Sequence, residues 1–160
     1  MNTKKNVNKR KKTNSVEFRY EKDLVSVFCS LISSSNSPWS QTSFITEFSY
    51  SGGKTDILLL DESHTLIALE AKLHRWRDAL QQAFRNTAFA HESYVLLPRK
   101  TALRAAKNSD AFLKRNVGLL LCDEDSVEIL LQPINAPPIQ PWLCEKAVLR
   151  VIESKNDVSN

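Results

Sequence analysis

The sequence predicts an α/β domain in which helices cover a mixed β-sheet, and three observations predict it. Leu24, Val27, Phe28, Leu31 and Ile32 recur at three- and four-residue intervals, the period of a helix with one buried face. Three strand-like segments follow between residues 43 and 72, separated only by Gly52-Gly53 and by Asp61-Glu62-Ser63-His64. A helical period then returns before further short apolar runs. An antiparallel meander followed by a helical crossover requires a mixed sheet with helices on its faces.

In chain order, Ser15 is a cap for a first helix starting near Val16, which should end in Ser33-Ser34-Ser35-Asn36 ahead of Pro38. Residues 43–50 are rich in aromatic and β-branched types and read as a strand; 55–60 and 65–72 read as two more. Trp76, Ala79, Leu80, Ala83, Phe84 and Thr87 line one face of a second helix. Residues 93–97 form a strand stopped by Pro98, 102–115 a helix, and 117–122 and 127–131 a strand pair around Asp123-Glu124-Asp125-Ser126. The segment holding Pro133, Pro137, Pro138 and Pro141 should be extended, with a short terminal helix over about 142–152. The division expected is a disordered basic arm over 1–14, one domain over 15–132, and an extension over 133–160 packed on it.

Composition narrows the function classes. With 160 residues, 42% hydrophobic and 25% charged, the chain suits one globular core. No apolar run approaches the roughly 20 residues that span a bilayer, and the basic start lacks the apolar stretch of a secretory signal, so a cytoplasmic protein is expected. Cys29, Cys122 and Cys144 are widely spaced and odd in number, which excludes a paired disulfide framework and a CxxC zinc knuckle; His64, His74 and His91 form no HExxH arrangement. The net charge of +4 is concentrated in Lys4, Lys5, Lys9, Arg10, Lys11 and Lys12, an arm able to touch nucleic-acid phosphate through counterion release.

Chemistry concentrates between residues 53 and 72. Asp56 starts one apolar strand, while Glu70 and Lys72, two residues apart and therefore on one face, interrupt the end of the next. Unpaired buried ions cost several kcal/mol, so the cluster is either an ion-pair network or a metal site. A tight turn brings Asp56 near Glu70, and two converging carboxylates suit magnesium or manganese, with lysine beside them for a phosphate or an attacking hydroxide. Direct pairing of Asp56 with Glu70 centres the turn on Ser63 and demands an odd loop of three or five residues.

An Asp followed by Glu-x-Lys on successive strands, inside the order helix, strand, strand, strand, helix, strand over about residues 16–97, resembles the PD-(D/E)XK nuclease superfamily. Thr55 stands where the signature has proline. The resemblance implies a restriction-endonuclease-like fold with an αβββαβ core. It implies a magnesium-dependent endonuclease or exonuclease, with DNA favoured over RNA, in which Asp56, Glu70 and the Ala71 carbonyl hold Mg2+ (or Mn2+) and Lys72 stabilises developing charge. It also implies a glutamine on the helix after the motif, aligned with Gln82 in Trp76-Arg77-Asp78-Ala79-Leu80-Gln81-Gln82-Ala83, and an acid on the first helix, Glu21, with Glu17 and Glu47 as alternatives. Lys54, Arg75 and Arg77 lie close in sequence to the motif and are expected to grip flanking phosphates. A homodimer or larger complex could supply the specificity for which no separate reader domain is visible. The competing readings are a non-catalytic nucleic-acid- or protein-binding module on the same fold, and an accessory nuclease subunit of a phage or mobile-element complex.

Overall fold

The computed structural model describes residues 17–34, 37–40 and 42–159. The expected basic arm over 1–14, its capping Ser15 and Val16 lie outside them. The described elements run α1 (Glu21–Ser33), β1 (Ser43–Tyr50), β2 (Gly53–Leu60), β3 (Leu66–Ala71), α2 (Trp76–Asn86), β4 (Glu92–Pro98), α3 (Arg99–Ala106), α4 (Ser109–Leu113), β5 (Gly118–Cys122), β6 (Val127–Leu131) and α5 (Pro141–Val158). The six strands lie in the sheet in chain order, from β1 at one edge to β6 at the other. β1, β2 and β3 form an antiparallel meander, β3, β4 and β5 are parallel through helical crossovers, and β6 returns antiparallel. The α/β class and the mixed, helix-flanked sheet are therefore as the sequence predicts.

Alternation along the strands divides the core. Ile57, Leu59, Ile67 and Leu69 pack with Leu24, Phe28, Leu31 and Ile32 of α1 on one face. Their neighbours Leu58, Leu60, Leu66 and Ala68 point the other way, onto Leu143, Cys144, Ala147 and Val151 of α5. Over β4 and β5 that second face is covered by Trp76, Ala79, Leu80 and Ala83 of α2 with Ala102, Ala105 and Phe112 beyond them. Gly118 is required where β5 passes Tyr94, because a Cβ there would stand 2.3 Å from the ring and 2.8 Å from the Leu131 carbonyl oxygen.

Three helix limits and one buried position differ from the sequence reading. α1 begins at Glu21 rather than near Val16, and residues 17–20 precede it; the Tyr20 N–H donates to Asp23 Oδ2 at 3.1 Å, capping the helix one turn later than Ser15 would. The single helix expected over 102–115 is two, starting at Arg99 directly after Pro98 and broken at Asn108 (φ −115°, ψ 40°). α5 is not short: it runs for 18 residues from a proline in its first turn. Phe84, expected on the buried face of α2, is 49% exposed, and Asn86 takes the inward position. No helix among the described residues is long and apolar enough to cross a membrane.

Adjacent residues of α5 test this packing. Leu143 is buried and Trp142 is 68% exposed. Leu143→Ala should lower unfolding free energy by about 2–3 kcal/mol in urea titration, whereas Trp142→Ala should stay within about 0.5 kcal/mol.

Candidate active site

The site is built on the hairpin of β2 and β3. Ile57 pairs with Leu69, Leu58 with Ala68, Leu59 with Ile67 and Leu60 with Leu66, a register that sets Asp56 opposite Glu70. The connecting loop is residues 61–65, five residues centred on Ser63, so the odd loop expected from direct pairing is present. Asp61 holds it by accepting the N–H groups of Ser63 (2.9 Å) and Thr65 (2.8 Å) on Oδ1. His64 takes the left-handed conformation that closes the turn, at φ 59°.

Beyond this hairpin the alternation of β1 and β2 is interrupted at one point on both strands. Thr46 belongs to the α1 side, yet Phe48 and Tyr50 pack with the α5 side, and Glu47 between them has φ 59°. Asp56, across from Glu47 in the register, is the matching point on β2. Thr55 is fully buried and reaches Glu70 on the α2 side, while Asp56 lines a groove of about 350 Å3 on the α1 side with Glu21, Val25, Thr46 and Glu47. The Ala71 N–H donates to Asp56 Oδ2 at 2.8 Å and fixes the carboxylate against the end of β3.

Glu70 is 2% exposed. Its Oε1 accepts from Asn86 Nδ2 at 2.6 Å and from Thr55 Oγ1 at 3.2 Å, and Asn86 Oδ1 in turn accepts from the Tyr50 hydroxyl at 2.9 Å. Burial pushes the Glu70 carboxyl up to about 7; the hydrogen bond from Asn86 opposes that rise, the charge of nearby Asp56 adds to it, and Thr55 opposes it. Asp56 is near enough for its charge to raise Glu70, although their strands bend the two groups towards different sides of the sheet. Burial and the charge of Glu70 raise the Tyr50 phenol as well.

Lys72, expected on the same face as Glu70, turns instead to α1. Its Nζ lies 3.3 Å from Glu21 Oε2, which brings the first turn of α1 to the end of β3. Of the three expected auxiliary acids, Glu21 makes this contact and Glu47 pairs with Lys54 at 3.0 Å beside the Asp56 groove. Glu17 precedes the helix and lines a separate cleft near Arg99. Lys54 is therefore an exposed hairpin ion pair, a type worth little energy. Arg75 pairs with Asp78 at 2.7 Å, and the Arg77 guanidinium stacks 4.2 Å above the Trp76 ring.

Gln82 is half-buried and makes no hydrogen bond to either carboxylate among the described residues; Asn86, one turn later on α2, holds Glu70 instead. Asn86, Thr55 and Tyr50 are the site residues that sequence reasoning missed. The signal for Asn86 was available: a polar side chain seven residues after Ala79 and three after Ala83, within the apolar stripe of α2.

The donors on hand for a cation are Asp56 and Glu70 with the neighbouring Ala71 carbonyl. No group of three or more His, Cys, Asp or Glu side chains placed to hold a metal occurs among the described residues. The pair nevertheless fits a hard divalent ion, because two adjoining carboxylates leave negative charge that burial makes costly.

No protein-family description and no curated protein matches the chain. Its fold is similar to that of a solved protein of unknown function from Silicibacter pomeroyi, with a TM-score of 0.55 at 15% identity, over 71% of this chain and 74% of the other.

The Glu70 environment sets a pH dependence. A carboxyl whose folded pKa is raised to about 7 from 4.5 holds its proton in the native state after the unfolded chain has lost it. Its contribution is therefore full below about pH 4.5 and is lost as pH rises towards 7. With divalent ions chelated, wild-type stability should show this falling component between those values, and Glu70→Gln should remove it in denaturation measured across pH.

Proposed function

We propose that this chain is a metal-dependent phosphodiesterase acting on nucleic acid, a PD-(D/E)XK nuclease with a restriction-endonuclease-like core and DNA as the favoured substrate. The observation that carries the reading is the register that sets Asp56 opposite Glu70 at the ends of paired strands, with Lys72 two residues beyond Glu70. Such a cluster needs a cation or a proton to balance it, and structural packing alone would be served as well by neutral residues.

In this reading Asp56, Glu70 and the Ala71 carbonyl hold Mg2+ or Mn2+, which when bound polarises a phosphate and lowers the pKa of an attacking water. The remaining work falls to the chain's own groups. The Ala71 N–H and Asn86 orient the two carboxylates, so they need little rearrangement. Lys72, 24% exposed and steadied by Glu21, keeps a positive charge where negative charge develops on the phosphate oxygens. A non-catalytic binding module remains the second reading, because every buried polar side-chain atom among the described residues is hydrogen-bonded, as a purely structural network also requires.

Two experiments separate these readings. Calorimetry should detect Mg2+ or Mn2+ binding to the wild type that disappears in Asp56→Ala; equal binding by both proteins would remove the assigned centre. On circular, linear and single-stranded DNA and on RNA, cleavage should require the metal. Lys72→Ala should lower the rate about 100-fold or more while metal binding persists. A variant that loses melting temperature instead, with no cleavage by the wild type, would assign Lys72 to an ion pair that holds the fold.

A further inference from the structure

The carboxyl ends of β3 and β4 carry cations that the proposed centre does not use. Residues 73–107 contain seven Lys or Arg against two acidic residues, Asp78 and Glu92, and of the seven Arg99 is paired with Asp123. Asp78 is already paired with Arg75, and Glu92 accepts from the Tyr94 hydroxyl, so neither balances the rest. The fold gathers these cations around three adjoining clefts. The first, about 310 Å3, lies where β3 and β4 end and is lined by His74, Lys100 and Arg104. A second, about 440 Å3, shares His74 and Arg104 with it and adds Arg75 and Arg77. The third, about 530 Å3, meets the second at Asn108 and carries Lys107, Lys114 and Arg115.

The three make one furrow along α3 and α4 that starts at Leu73 and His74, the residues that follow Lys72. Arg75, Arg77, Lys100, Arg104 and Lys107 are all exposed along it, and among the described residues the Arg104 side chain reaches the His74 carbonyl at 3.5 Å. Its acids are Glu17, Asp78 and Asp110. This is a local property of the surface. The exposed side of α5 balances Lys146, Arg150 and Lys155 against Glu145, Glu153 and Asp157.

We propose that this furrow is a track for the phosphate backbone of a nucleic acid, leading it along α3 to the cluster of Asp56, Glu70 and Lys72. The proposal rests on the nucleic-acid reading above and extends it: the strand is gripped on the α2 and α3 side of Lys72, and the Lys54 hairpin takes no part. Flexible, exposed lysines and arginines facing successive clefts suit repeated phosphates and carry no base-reading geometry, so recognition here is independent of sequence.

The test is fluorescence anisotropy with labelled duplex DNA and duplex RNA, each in two unrelated sequences, without divalent ions and over a range of salt. Arg104→Glu with Lys107→Glu should weaken binding at least about tenfold for both sequences and lower the salt slope by about two. Lys100→Glu with Lys114→Glu should act likewise, which guards against one pair failing to fold; Lys146→Glu with Lys155→Glu on α5 should bind as wild type. Equal losses on DNA and RNA assign the track to the shared backbone, and loss on DNA alone assigns it to the DNA duplex. Unchanged binding by both folded track variants overturns the proposal, as does a wild type that binds neither polymer. Asp56→Ala keeps the two readings apart: cleavage that survives it removes the catalytic centre and leaves the track, whereas lost cleavage with unaltered track variants does the reverse.

Discussion

A carboxyl group sealed under a helix is the constraint on which the rest of this structure turns. Glu70 has almost no contact with water, and a charged group in that position is tolerated only where donors replace the lost hydration. Those donors come from different elements: Thr55 from β2 and Asn86 from α2, with Tyr50 of β1 holding Asn86 in turn. One side chain thereby ties two strands and a helix to the end of a third strand. The rotation of α2 about its axis follows from it, since presenting Asn86 inward leaves Phe84 facing water.

The break in alternation at Glu47 and Asp56 serves the same end. Strict alternation would give Thr55 to the α1 side and leave Glu70 without its second donor. Shifting both strands at one matched pair keeps the hydrogen-bonded register on either side, and brings Thr55 under α2 while Asp56 opens to the groove beside α1. Two carboxylates are thus offered from two sides of one sheet end, one dry and one wet. Lys72 and Glu21 close the wet side by joining β3 to α1.

Much of this was legible in the sequence because it depends on period and spacing. The strands at 43–50 and 127–131 coincide with β1 and β6, and direct pairing of Asp56 with Glu70 called for the odd loop that is present. What could not be read depends on contacts between distant segments. Gln82 and Asn86 lie on nearly the same side of α2, and only the depth at which that helix sits on β3 decides which of them meets Glu70. Lys54 and Arg75 look like free cations near the motif, but each is paired, Lys54 with Glu47 on the neighbouring strand and Arg75 with Asp78. The start of α1 depended on Asp23 reaching back to Tyr20, a capping pair that competes with the more familiar serine.

The position of α5 has a bearing on how the chain is made. It follows the other described elements in sequence, yet Leu143, Cys144, Ala147 and Val151 lie over Phe48, Leu58, Leu66 and Phe89, from far earlier. A ribosome adds roughly 5–20 residues each second, so the meander of β1 to β3 waits on the order of several seconds for its cover after Phe89 has been joined. During that interval it is a sheet with one wet apolar face, the form most exposed to pairing with the wrong neighbour. The buried cluster around Glu70 draws on residues 50–86 and can assemble within that interval. The active end of the molecule can therefore take shape before the opposite end of the hairpin is protected.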